Sequence, residues 1–192
     1  MYKQIFLKRG KEESLKRFHP WIFSGAIHHM DEGIEEGETV RVITAAGEFI
    51  AVGHYQIGSI AVRVLSFEDI EINTDFWCER LQSALDVRIG VGIADSPTNN
   101  TYRLVHGEGD YLPGLVIDCY GSTAVMQAHS VGMHVCRNEI CQALVQVMGD
   151  RIANVYYKSE TTLPYKADLH QENGFLVGGD ASNVAMENGL KF

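Results

Sequence analysis

Residues 39–65 read TVRVITAAGEFIAVGHYQIGSIAVRVL, and the spacing of apolar side chains in this stretch decides how the first third of the chain folds. Val40, Val42, Ala51, Val62 and Val64 fall at the period of two expected when one face of a strand is buried. They predict strands over 39–43, 48–55 and 59–65. The first two are joined across Ala45-Ala46-Gly47, a short glycine-bearing connection that suits a hairpin. Toward the N-terminus, residues 2–7 add a strand, and 10–18 read as a short, strongly basic helix or turn that Pro20 ends. Residues 1–68 are thus expected to form a small, mostly β barrel.

In the other direction the acidic run Glu68-Asp69-Ile70-Glu71-Ile72-Asn73-Thr74-Asp75 marks the expected boundary. It leads into a helix with Asn73 or Thr74 as N-cap and Asp75 in the first turn, where a carboxylate meets the positive end of the helix dipole. Trp77, Leu81, Leu85 and Ile89 line one face, and Gly90 or Gly92 ends the helix. This gives a linker and helix over 69–100. A strand-like 102–106 precedes a second unit: strand 115–119, a turn at Tyr120-Gly121, strand 123–129, helix 132–148, and strands 152–157 and 174–177. Met133, Ile140, Leu144 and Val147 form the apolar stripe of that helix. Residues 101–187 therefore predict a central strand-strand-helix-strand-strand α+β layer, and the whole chain a mixed β and α+β architecture. The last residues, 188–192, open with Asn188-Gly189, a strong hairpin signal, after the alternating 184–187. Only three residues follow, so the ending reads as the truncated start of a hairpin.

A length of 192 residues fits two compact units, and 45% hydrophobic with 21% charged residues is ordinary for a chain that buries a core. No apolar run approaches the roughly 20 residues that span a bilayer, and the N-terminal one is too short for a signal peptide. A cytoplasmic location with no membrane partner is expected. Cys78, Cys119, Cys136 and Cys141 include no Cys-x-x-Cys pair and read as buried free thiols. The histidines at 19, 28, 29, 54, 106, 129, 134 and 170 form no His-Glu-x-x-His, so no metal site is expected.

A net charge of −9 argues against attraction of the whole molecule to nucleic acid, but the charge is unevenly spread. Residues 1–20 hold Lys3, Lys8, Arg9, Lys11, Lys16 and Arg17 against Glu12 and Glu13, a local balance of +4. Lys8, Arg9, Lys11, Lys16 and Arg17 lie beside Trp21 and Phe23, which combines phosphate neutralisation with surfaces on which bases can stack. The competing reading has the aromatics closing the barrel core and the lysines simply solvated.

A second string, Arg103-Leu104-Val105-His106-Gly107-Glu108-Gly109-Asp110-Tyr111-Leu112-Pro113-Gly114-Leu115-Val116-Ile117-Asp118, is a structured turn between apolar strands. Its glycines do not match a phosphate-cradling loop. Glu108 and Asp110 can serve the turn itself, holding amides or basic side chains, or contact a ligand or RNA. Gly90-Val91-Gly92 imitates half of a dinucleotide fingerprint but follows a helix, where the motif must follow a strand. There is no Gly-x-Ser-x-Gly elbow, and no cysteine sits where a nucleophile would be activated. Catalysis by these residues alone is not expected.

The stretch Lys8-Arg9-Gly10-Lys11-Glu12-Glu13-Ser14-Leu15-Lys16-Arg17-Phe18-His19-Pro20-Trp21-Ile22-Phe23-Ser24-Gly25-Ala26-Ile27 resembles the PUA-like opening of a family of methyltransferases. Its members are class I S-adenosylmethionine-dependent enzymes that make 5-methylcytosine in large-subunit ribosomal RNA. The 103–118 string is similar to the same family's central domain. The resemblance implies a PUA RNA-binding domain, a central α+β domain and a Rossmann-like methyltransferase domain, with only the first two represented here. It implies RNA contact by Lys8, Arg9, Lys11, Lys16, Arg17, His19 and Trp21, and a substrate cleft shaped partly by Arg103, Glu108 and Asp110. The family's thiolate, which attacks the cytosine ring, and its S-adenosylmethionine site lie in the third domain. This chain is therefore expected to hold no cofactor and to supply RNA recognition for a parent methyltransferase. The rival expectation is a stand-alone, non-catalytic RNA-binding or ribosome-assembly module.

Overall fold

The computed structural model describes residues 2–164, 169, 172–180 and 184–192, so His170 lies outside the described residues. The chain divides into two compact units, residues 1–72 with 130–135, and residues 73–129 with 136–192.

The first unit is built on a six-stranded sheet. Its strands are β1 (Lys3–Leu7), β2 (Trp21–Phe23), β3 (Ile27–Met30), β4 (Thr39–Ile43), β5 (Phe49–Tyr55) and β6 (Ile60–Ser66), in the order β2-β6-β5-β4-β1-β3. The β4–β5 hairpin turns where expected, with Gly47 donating its N–H to Thr44 O at 3.0 Å and adopting φ +84°. Ile5, Leu7, Val40, Val42, Ala51, Val62 and Val64 form the core together with Leu15 and Ile22. Gly53 allows β5 and β6 to approach closely, because a Cβ there would lie 2.2 Å from the Arg63 carbonyl oxygen. The short helix α2 (Val131–Val135) completes this unit, and Gly132 sits so tightly on the buried His54 ring that a Cβ would meet it at 2.2 Å.

The second unit carries a five-stranded sheet in the order β11-β10-β9-β8-β7. The strands are β7 (Thr101–His106), β8 (Leu115–Tyr120), β9 (Thr123–Ala128), β10 (Asn154–Tyr157) and β11 (Gly174–Val177). β9 and β10 run parallel, joined by a crossover that contains α3 (Arg137–Met148); the other neighbours are antiparallel. Helix α1 (Thr74–Gly90) packs on α3 through buried Trp77, Leu81 and Leu85 on one side and Ile140 and Leu144 on the other. Asn73 caps α1, its Oδ1 accepting the Phe76 N–H at 3.0 Å. Ile89, expected on the same apolar face, remains 38% exposed because the packed stripe stops one turn earlier.

Two expectations need correction. The helix predicted over 132–148 is broken at Cys136, whose ψ of 4° leaves the helical range, so Met133 and Ile140 belong to different units. The segment 101–106, read as strand-like within the 101–187 domain, adds a fifth strand to the four of the expected layer. The Asn188-Gly189 turn forms, with both residues at positive φ between β12 (Met186–Glu187) and β13 (Leu190–Lys191).

Candidate nucleic-acid interface

Leu15 explains how the basic segment is held. It is 2% exposed, sunk in the first core from a 3-10 turn over Leu15–Arg17, and this leaves Lys16 and Arg17 on the outside. Phe18 ends the turn in the left-handed region at φ 60°, pointing an edge at Phe67 with centroids 5.2 Å apart. In β2 the strand alternation sends Ile22 into the core, while Trp21 is half-buried and Phe23 is 50% exposed. The core is thus closed by Ile22 and not by the aromatics that flank it. His19 stands beside both, with centroids 5.9 Å from Trp21 and 6.4 Å from Phe23, and its Nδ1 accepts the Trp21 N–H at 3.2 Å.

Lys8, Arg9, Lys11, Lys16 and Arg17 are all exposed. Lys8 donates to Gly25 O at 2.9 Å and Lys16 pairs with Glu13 at 2.8 Å, both on the surface. Arg9, Lys11 and Arg17 are exposed and enter none of the six ion pairs found among the described residues. A groove of about 320 Å³ runs between Lys11, Leu15, Trp21 and Phe23. The structure therefore brings Lys11, Trp21 and Phe23 to one concave surface. It also displays Phe18, which sequence reasoning missed although its place beside Arg17 was visible.

The candidates in the second unit have different surroundings. Asp110 is held inside its own turn: its carboxylate takes both arms of the Arg88 guanidinium, with Nη2 to Oδ2 at 2.8 Å, and accepts the His106 N–H at 2.6 Å. Arg88 also donates from Nε to Arg103 O at 3.0 Å, so helix α1 clamps the turn. Arg103 makes a two-pronged pair with Asp118 at 2.8 and 3.0 Å and lies 3.3 Å from His106 Nδ1. Glu108 is exposed. Burial, followed by the Arg103 charge, lowers the His129 imidazole from its ordinary value, and Glu108 opposes that shift. Arg103, His106, Glu108 and His129 thus share one polar neighbourhood, whose two histidines were not among the cleft candidates.

No cysteine is poised for attack. Burial pushes the Cys119 and Cys136 thiols up to about 12 and raises Cys78 and Cys141 as well, the opposite of what a thiolate nucleophile requires. Among the described residues, no group of three or more His, Cys, Asp or Glu could hold a metal ion. No described helix is long and apolar enough to cross a membrane.

Residues 5–67 match the family model of a PUA-like domain. Ribosomal RNA large subunit methyltransferase I from Vibrio parahaemolyticus is 39% identical over 194 aligned residues, covering 100% of this chain and 48% of that protein. The protein of the same name from Aliivibrio fischeri is 36% identical, with the same coverage. The chain is a relative, end to end, of part of ribosomal RNA large subunit methyltransferase I. It spans about half the length of these relatives. A solved structure described as a SAM-dependent methyltransferase from Streptococcus mutans superposes with a TM-score of 0.78 at 21% identity, over 98% of this chain and 47% of that one. A methyltransferase structure complexed with SAH gives the same values. These two likenesses show a shared fold.

Proposed function

We propose that this chain is the RNA-recognition portion of an S-adenosylmethionine-dependent methyltransferase that acts on cytosine-5 of large-subunit ribosomal RNA in the cytoplasm. The observation that carries this reading is the surface around Leu15 and Ile22. Two buried anchors present Lys11, Lys16 and Arg17 next to His19, Trp21, Phe18 and Phe23 on an otherwise acidic chain. Cations neutralise phosphates, and exposed rings offer stacking to bases that are not already stacked in a duplex. The relatives' name supports ribosomal RNA as the target. The cofactor and the attacking thiolate would belong to the parent enzyme and not to these residues. The raised cysteines here are consistent with that division.

In the second unit, Arg103 and Glu108 would face substrate while Asp110 positions the turn that carries them. A fluorescence anisotropy titration of the chain with a labelled fragment of large-subunit ribosomal RNA tests the reading. Lys11→Glu combined with Arg17→Glu should weaken binding by more than about tenfold, since two phosphate contacts are lost and two carboxylates gained. Unchanged affinity in that variant would overturn the assignment of the surface.

A further inference from the structure

A second cleft, of about 630 Å³, opens on the first unit between the end of β1, strand β3 and the β4–β5 turn. It is lined by Phe6, Lys8, Arg9, His28 and His29, with Leu7 and the 44–47 turn completing the wall. The cleft differs from the groove at Lys11 and Trp21, with which it shares no lining residue. We propose that it is a pocket for one unpaired RNA nucleotide, its base stacked on the histidine pair and its phosphate held by Arg9 and Lys8. The proposal rests on the RNA-recognition reading above and names the form of RNA that this unit would accept.

Three observations carry it. The first is a prebuilt ring stack. Phe6 and His29 are opposite one another in the antiparallel β1–β3 pairing, and their rings lie 4.3 Å apart at 9° to each other. His28 meets His29 edge-on at 5.1 Å, and both histidines are exposed. Two successive strand residues normally point to opposite faces, so a cleft reached by both is suited to enclosing a planar group instead of merely lying beneath it. The second is charge. The protein has 25 Asp and Glu against 16 Lys and Arg, yet none of the residues lining this cleft is acidic. By contrast, a concavity on α1 is lined by Glu79 and Asp86, so freedom from carboxylates is not a general property of this surface. The third is the small side chains of the remaining wall: Ala45, Ala46 and Gly47 line the cleft, are exposed and leave room for a ring. A base already paired and stacked in a duplex cannot enter such a space, so the ligand is single-stranded.

The test uses the 192-residue chain and a fluorescein-labelled uridine hexamer, read by anisotropy, with a blunt RNA duplex as unlabelled competitor. His28→Ala with His29→Ala should lower hexamer affinity by at least about fivefold, the loss expected for one stacked base. Ala46→Glu, an exposed change outside the Phe6–His29 ring stack, should lower it comparably by filling the space left for the base and adding a carboxylate to the cleft, and thermal melting of both variants reports whether the fold is kept. The duplex should compete about tenfold or more less effectively than unlabelled hexamer. If Lys11→Glu with Arg17→Glu abolishes binding while Ala46→Glu and the histidine variant bind as the parent does, the nucleotide pocket is wrong and the broader RNA reading stands. If no variant changes binding, both fall. A duplex that competes as well as the hexamer contradicts the pocket directly.

Discussion

Asp110 and Arg103 were both candidates for the substrate cleft, and their surroundings separate them. The Asp110 side chain is 8% exposed and its partner Arg88 13%, whereas Arg103 is 46% exposed. Breaking a largely buried, hydrogen-bonded pair strands a charge, so Asp110→Asn should cost about 3 kcal/mol in urea unfolding. Arg103→Ala should cost under about 1 kcal/mol, because water already screens its pair with Asp118. His54 provides a second residue-level prediction. Burial under Gly132, and then the nearby Arg63 charge, lower its imidazole to about 4. An unfolded histidine titrates near 6.5, so the unfolded chain takes up a proton first as pH falls. Stability should be full above about pH 6.5 and decline toward pH 4, by about 2 kcal/mol between pH 7.5 and 5. Urea midpoints at those two pH values check it, and His54→Gln should flatten the difference.

Among the elements, those whose signal is local were the easiest to read. The β4–β5 hairpin, the α1 cap at Asn73 and the 174–177 strand were all written in neighbouring residues: a period of two, a side-chain acceptor before an apolar stripe, a glycine in a turn. Asn73→Ala should remove the acceptor for the Phe76 N–H and cost about 1 kcal/mol in chemical denaturation. What failed to read was set by tertiary contact. Val131–Val135 and Arg137–Met148 share one apolar period, and nothing within 132–148 announces that the two pieces pack with different units. The Phe6–His29 stack escaped notice for the same reason: its partners are far apart in sequence and meet only through the β1–β3 register. In the 103–118 string the bend was legible, but the Arg88 clamp came from another element. The basic segment was legible as charge, while the outward placement of its side chains depended on Leu15 and Ile22 filling the core.

At the scale of the whole molecule, a net charge of −9 predicts repulsion from RNA, and the local balance of +4 in residues 1–20 predicts the reverse at one place. Binding should therefore be strongly salt-dependent despite the acidic total. With up to five cations engaged, the slope of log affinity against log salt for single strands should reach about −3.5, and Arg9→Ala should make it shallower by about 0.7. Anisotropy titrations at three salt concentrations check both values. The most direct measurement is photo-crosslinking of the chain to 4-thiouridine-labelled large-subunit ribosomal RNA, with the attached peptides located by mass spectrometry. Crosslinks should concentrate in residues 6–29, at Trp21, Phe23, His28 and His29 among them. Crosslinks confined to residues 73–192, or none at all under conditions where the RNA is bound, would contradict it.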